Sequence, residues 1–379
     1  MTAAGAAGLH GPADPIPLTV LTGFLGAGKT TLLNRLVQDP ALAGTAVIIN
    51  EFGEIGLDHL LVRTIDDNLV LLQSGCLCCT LRGDMVSALE NLLRDLDNGR
   101  ISFRRVILET TGLADPAPVL QTAMAHPYLV MRFRIDGVVT VVDAIHGAAT
   151  LDDNIESLKQ VAVADRIVLT KSDLADTPER RDAREALLAR LIALNPAAPV
   201  LDAAAGEATA GRLLECGLYN PDRKIPDVKR WLAEEAYAAA THHHDHHHHD
   251  PNRHDDRIRA FTIATDTPVP GAAFEMFIDL VRSLHGPKLL RLKGIVKIAE
   301  EPDRPLVIHG VQHVMHPPVR LERWPDADER TRIVIITRDL APEAVTRLFD
   351  AFLERRAPDT PDRAALFDNP LVPFGGVDR

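Results

Sequence analysis

The stretch Gly23-Phe24-Leu25-Gly26-Ala27-Gly28-Lys29-Thr30 decides the fold of this chain. It fits G-x-x-x-x-G-K-[ST], the pattern of a phosphate-cradling loop. The apolar run Ile16 to Leu21 before it reads as a buried strand, and Thr31 to Val37 after it reads as a helix. A glycine-rich turn in that setting points successive backbone N–H groups at one concavity. The helix N-terminus adds positive potential there. Lys29 can reach the β- and γ-phosphates, and the Thr30 hydroxyl is placed for Mg2+. A glycine-rich turn that matched by accident would lack the flanking strand and helix, so a nucleoside triphosphate is the expected ligand.

Outward from this loop, short apolar runs recur with polar clusters at their ends. Thr45 to Asn50 leads into Glu51-Phe52-Gly53-Glu54, and Leu69 to Leu72 leads into Gly75-Cys76-Leu77-Cys78-Cys79. Met85, Leu89, Leu92, Leu93 and Leu96 follow at helical spacing. Val106 to Leu108 ends in Glu109-Thr110-Thr111-Gly112, Gly137 to Val142 ends at Asp143, and Arg166 to Leu169 runs into Thr170-Lys171-Ser172-Asp173. Strands alternating with helices predict an α/β domain, a mostly parallel sheet wrapped by helices. Ligands of such sheets sit at the carboxyl ends of the strands, where every one of these clusters falls.

The pattern breaks near Tyr237, and the His-rich run 242–250 cannot bury a core. Strands are expected at Arg257–Ala264, Leu289–Ala299, Leu306–His309, Val311–Met315 and Arg332–Thr337, with helices at Phe274–Leu284 and Pro342–Leu353. Strand following strand predicts a smaller C-terminal α+β domain with a largely antiparallel sheet. The expected divisions are a disordered lead-in at 1–14, a nucleotide-binding domain at 15–236, a linker at 237–256, the second domain at 257–356 and a loose tail at 357–379. The lead-in lacks the basic start and apolar core of a signal peptide, and no apolar run approaches a membrane span, so a cytoplasmic protein is expected. A net charge of −12 argues against a broad nucleic-acid-binding face.

Thr170-Lys171-Ser172-Asp173 has the form of a guanine reader. An aspartate can accept from the ring N–H and the exocyclic amine of guanine, a donor pair adenine lacks, while the lysine stem lies along the base. The common motif begins with asparagine rather than Thr170, and Asp173 would also suit a helix N-cap. Glu109 could hold Mg2+ through water, and Gly112 allows backbone approach to the γ-phosphate; a strand-end turn with an incidental acid is the alternative.

Cys76, Cys78 and Cys79 hold three of the four cysteines and do not have structural zinc-finger spacing. Two thiolates with an outside ligand, or all three, would suit Zn2+, Cu+ or Co2+, with Glu51, Glu54 or a histidine completing the shell. A redox-thiol pair is the rival reading, and Cys216 reads as core. His242, His243, His244, His246, His247, His248 and His249 read as a loop that collects metal loosely, or else as a solvating linker.

GFLGAGKTTLLN, NEFGEIG, SGCLCC, ETTGLADP and TKSD, in that order, resemble the CobW-type GTPases, a family of metal-delivering and metal-inserting proteins. Arg291-Leu292-Lys293-Gly294 with Val307 to Val311 resembles that family's C-terminal domain. The resemblance implies slow GTP hydrolysis coupled to delivery of Zn2+, or of Co2+ in some members, to a client metalloprotein. It carries over the phosphate loop Gly23 to Thr31, the metal cysteines and the TKSD base reader. A nucleotide- or metal-dependent homodimer is a further expectation. Other readings are cobalt insertion for cobalamin or metalloenzyme maturation, and a non-catalytic metal buffer built on the histidine run. Ile16 to Val20 only partly resembles the segment through which some zinc-delivering members dock on their client.

Overall fold

The computed structural model describes residues 15–49, 70–73, 81–214 and 257–353. Seven strands form one parallel sheet in the order β3-β2-β4-β1-β5-β6-β7. They are β1 (Ile16–Gly23), β2 (Thr45–Ile49), β3 (Val70–Gln73), β4 (Arg105–Glu109), β5 (Phe133–Asp143), β6 (Arg166–Thr170) and β7 (Val200–Asp202). The helices of this part are α1 (Lys29–Leu36), α2 (Leu81–Asp97), α3 (Ala117–Ala125), α4 (Leu129–Arg132), α5 (Gly147–Asp153), α6 (Ile155–Ala162), α7 (Pro178–Leu194) and α8 (Ala210–Leu213).

Both faces of the sheet are covered, which is why its strands are apolar throughout rather than alternating with polar residues. Val106 and Leu108 pack with Leu89, Leu93 and Leu120 on one face, while Ile107 packs with Leu32, Leu33 and Leu36 on the other. Val168 joins that second cluster, and its neighbours Ile167 and Leu169 pack with α6 and α7. The two-residue repeat of a strand makes this division.

The C-terminal sheet is antiparallel, in the order β11-β10-β9-β13-β8 with β12 paired to β10. Its strands are β8 (Ile258–Thr265), β9 (Leu289–Val296), β10 (Leu306–Val311), β11 (Val314–Met315), β12 (Val319–Arg320) and β13 (Thr331–Arg338). Helices α9 (Gly271–His285) and α10 (Pro342–Phe352) pack on it through Phe274, Phe277, Val345 and Phe349.

The expected α/β and antiparallel α+β parts are both present, with three local corrections. The run Val311–Met315 is not one strand, because Gln312 takes a φ of 53° and turns the chain into the β10–β11 hairpin. The strand from Leu289 stops at Val296, where the N–H of Lys297 donates to the Thr331 hydroxyl at 2.9 Å instead of to a ladder. β5 begins at Phe133, before the expected Gly137, because its first residues pair with Ile16 to Leu18.

The two parts meet on a buried charge cluster. Asp165, just before β6, accepts hydrogen bonds from Arg291 and Lys293 of β9 and from the N–H of Val138 at 2.9 Å. Burial alone would raise the Asp165 carboxyl, but the two cations outweigh it and hold it well below the usual carboxylate range. Burial and the neighbouring Arg291 lower the Lys293 ammonium to about 8. Beside them His309 and His316 stack with ring centroids 4.6 Å apart, each with a buried Nε2 that has no hydrogen-bond partner. Burial lowers His316 to about 4, with Arg291 and Lys293 adding to it against the pull of Asp165. An unfolded chain therefore binds a proton at His316 between about pH 6.5 and 4 that the folded chain does not, so stability falls as pH falls through that window. Because His309 is likewise held well below its usual range, the His316→Gln variant is expected to lose only part of that acid sensitivity, which is worth on the order of a few kcal/mol in the parent, as read by denaturant midpoints from pH 7 to 4.

Candidate nucleotide and metal site

The phosphate loop is built where β1 turns into α1. Gly23 has a φ of 141°, and a Cβ there would lie 2.4 Å from the Val141 carbonyl oxygen, so no side chain fits. Gly26 and Gly28 are also left-handed, at 70° and 92°, and Gly28 caps α1. Lys29 is buried and donates to the carbonyls of Gly23 at 2.8 Å and Phe24 at 3.1 Å. Its ammonium is thus held against the loop, where a phosphate would compete with two neutral carbonyls for it.

The Thr30 hydroxyl donates to Glu109 Oε1 at 3.1 Å, and the Glu109 side chain is buried at the end of β4. A hydroxyl and a carboxylate side by side next to a phosphate cradle form the oxygen donor set that suits Mg2+. Gly112 closes on the loop: a Cβ there would lie 2.6 Å from the backbone nitrogen of Leu25. Leu25 and Leu113 are 59% and 58% exposed at this junction.

β6 delivers the TKSD segment to the other side of the loop. The Thr170 hydroxyl donates to the Ala27 carbonyl at 2.7 Å, so threonine makes the loop contact despite departing from the common asparagine. Lys171 takes a φ of 58° and donates to Gly26 O at 2.8 Å and to Asp143 Oδ2 at 2.7 Å. Burial favours the neutral Asp143, but Lys171 and the N–H groups of Ile145 and His146 outweigh it and lower its pKa. The Ser172 hydroxyl donates to Asp202, which also pairs with Arg184 at 2.9 Å. Asp173 is exposed, and the next helix is capped by Thr177 rather than by Asp173, so the capping role is not the one it fills. A cavity of about 240 Å³ opens beside the loop, lined among others by Phe24, Leu25, Asp143, His146, Gln160 and Lys171.

The structure thus brings together Gly23 to Thr31, Glu109, Gly112, Thr170 and Lys171, with Asp173 beside them. Glu51, Glu54, Cys76, Cys78, Cys79 and the histidines His242 to His249 lie outside the described residues. Ile49 of β2 pairs with Gln73 of β3 and with Glu109 of β4, so β2 and β3 end level with the Glu109 end of β4. Among the described residues, no group of three His, Cys, Asp or Glu side chains could hold a metal ion. No described helix is long and apolar enough to cross a membrane. Sequence reasoning missed Gln160, and named Asp143 only as a strand tip. The local signal for Gln160 was weak, a single amide in a short helix that also carries Glu156, Ser157 and Lys159.

Residues 17–202 match the family described as CobW/HypB/UreG, nucleotide-binding domain, and residues 258–353 match the cobalamin synthesis protein CobW C-terminal domain. The chain is 33% identical over 340 residues to the zinc chaperone YjiA of Escherichia coli, covering 89% of this chain and 98% of that one. It is 31% identical to the zinc chaperone CobW of a Sinorhizobium species, covering 88% and 95%. The crystal structure of Zn(II)-bound YjiA GTPase from E. coli superposes with a TM-score of 0.66 at 29% identity, covering 89% of this chain and 99% of that one.

Gly23 and Gly26 separate two costs. Gly26→Ala meets nothing within 4 Å and carries only the left-handed backbone penalty, about 1–2 kcal/mol. Gly23→Ala adds a backbone clash and is expected to cost at least about 3 kcal/mol, as measured by urea denaturation of both variants.

Proposed function

This chain belongs to the CobW family of P-loop GTPases, and from that premise we propose that it hydrolyses GTP and uses the cycle to pass Zn2+ to a client metalloprotein. The observation that carries the reading is the set of Lys29, Thr30 and Glu109 at one end of the sheet, with Thr170 and Lys171 tied to the same loop. The phosphates lie on the N–H groups of Gly23 to Thr31, with Lys29 at the β- and γ-phosphates and Gly112 approaching the γ-phosphate through its backbone. Thr30 and Glu109 would hold Mg2+, and the ion would supply charge neutralisation at the transferred phosphate. Asp173 accepts the two guanine N–H donors while the Lys171 stem lies along the base.

The cargo is held by Cys76, Cys78 and Cys79, completed by Glu51 or Glu54, and the histidines from His242 to His249 collect metal loosely before it reaches the thiolates. The names of the E. coli and Sinorhizobium relatives support zinc as the cargo. What supports coupling is the strand order: β2, which leads toward the carboxylates, pairs with β4 beside Glu109, and β3, which leads toward the cysteines, is the next strand out. Loops in that position are ordered by γ-phosphate and Mg2+ and released on hydrolysis. Hydrolysis then withdraws a ligand and loosens the metal.

Asp173→Asn is expected to lose preference for GTP over ATP and to gain affinity for xanthosine triphosphate, whose C2 oxygen accepts from the new amide; unchanged selectivity excludes the base-reading role. Competition of Zn2+ against a chelator is expected to give affinities at least five-fold apart in the GTP-analogue and GDP states, about 1 kcal/mol of coupling. Equal affinities would leave two independent sites on one chain, with no delivery step.

A further inference from the structure

The loop that approaches the γ-phosphate, Glu109 to Asp115, is not held by its own strand alone. Gln160 on α6 is 1% exposed, and its amide nitrogen donates to the carbonyls of both Gly112, at 3.2 Å, and Ala114, at 3.0 Å. An amide has two N–H donors, so one side chain can tie down two carbonyls of a turn that has no ladder of its own. The preceding residue grips the same loop: Lys159 Nζ lies 3.1 Å from Asp115, whose other oxygen accepts from the N–H of Ala117 at the start of α3. The helix carrying both is fixed to the sheet, where the Thr140 hydroxyl donates to the Gln160 carbonyl at 2.7 Å.

The far end of α6 belongs to the contact with the C-terminal domain. The carbonyl of Val163, the residue that ends α6, accepts from Arg291, and Asp165 two residues on accepts from both Arg291 and Lys293. Asn195 fastens the same turn, donating to the carbonyls of Val161 at 2.8 Å, Ala162 at 3.2 Å and Ala164 at 2.9 Å. The loop reaches the same domain a second way, since α3 continues from it and Gln121 donates to the Gln312 side chain in the β10–β11 turn at 2.9 Å.

We propose that Gln160 is the positioning residue of the γ-phosphate loop, and that Arg291 and Lys293, by gripping the other end of α6, make GTP turnover depend on how the C-terminal domain is seated. It acts by holding the peptide groups on either side of Leu113, so that the Gly112 backbone meets the γ-phosphate at one fixed angle. A contact that shifts the C-terminal domain, such as docking of a client, then reaches the loop through one short, fully hydrogen-bonded helix. This inference rests on the reading of Gly112 as the γ-phosphate contact.

The test uses the full chain with Mg2+ and GTP. Gln160→Met keeps the length and apolar fit but has no donor. It is expected to lower kcat at least ten-fold while leaving GDP affinity, which needs no γ-phosphate, within two-fold of the parent. Arg291→Met is expected to lower kcat about five-fold with GDP affinity again unchanged. The double variant is expected to fall no further than Gln160→Met alone, because both act on one element. Lys159→Met, on a partly exposed side chain, carries the same test with about a three-fold loss should Gln160→Met fail to bind GDP. Gln160→Met turning over within two-fold of an active parent overturns the inference, as does a double variant whose losses multiply. A parent that binds GTP but shows no Mg2+-dependent turnover overturns the underlying reading, and this inference with it.

Discussion

The close approach of β5 to Gly23 governs the architecture of the site. With the Val141 carbonyl where a Cβ would stand, the chain can leave β1 only as glycine, and only in the direction that carries it over the end of β5. Everything placed on the loop inherits that direction. Lys29 folds back onto it, Thr30 faces Glu109, and Gly28 comes close to Thr170. The Thr170 and Lys171 hydrogen bonds to the loop carbonyls then tie the glycine-rich loop to the Thr170-Lys171-Ser172-Asp173 segment.

The second structural commitment is electrostatic. One buried carboxylate, Asp165, faces two buried cations, Arg291 and Lys293, across the junction of the two domains. Removing charges from water is costly, and such a cluster holds only when its geometry and hydrogen bonds are satisfied. Here Asp165 is also anchored to the N–H of Val138, so the arrangement is tied to the central sheet. Burial is the main reason the adjacent His309 and His316 are held neutral, and Arg291 and Lys293 oppose their charge further. Apolar contacts extend the junction, with Ile258, Leu290 and Ile336 packed against Leu158, Leu187 and Leu191. The C-terminal domain is therefore seated on α6 and α7, the helices behind the nucleotide loop, and its seating is specific rather than merely adhesive.

Local chemistry made most of this legible in advance. The glycines of Gly23 to Gly28 announce left-handed backbone, and the paired apolar runs announce buried parallel strands, because both are properties of a few neighbouring residues. Thr170-Lys171-Ser172-Asp173 could be placed at a strand end for the same reason. The hairpin at Gln312 was not legible, since a non-glycine residue with positive φ carries little local signal and is held there by the pairing of β10 with β11. Likewise a single amide in α6 looks like any other polar residue until its partners are known.

By itself, then, the sequence determined the phosphate loop, the alternation of strands and helices, the change of sheet type in the second domain and the cysteine cluster, each encoded within short windows of chain. Only the tertiary structure decided that Gln160 holds Gly112, 48 residues away, and that Arg291 meets Asp165 across 126. The reason is physical: periodicity and backbone preference act along the chain. Which buried donor finds which acceptor depends on the packing of elements that are distant in sequence and become neighbours only when the sheets and helices close on their common core.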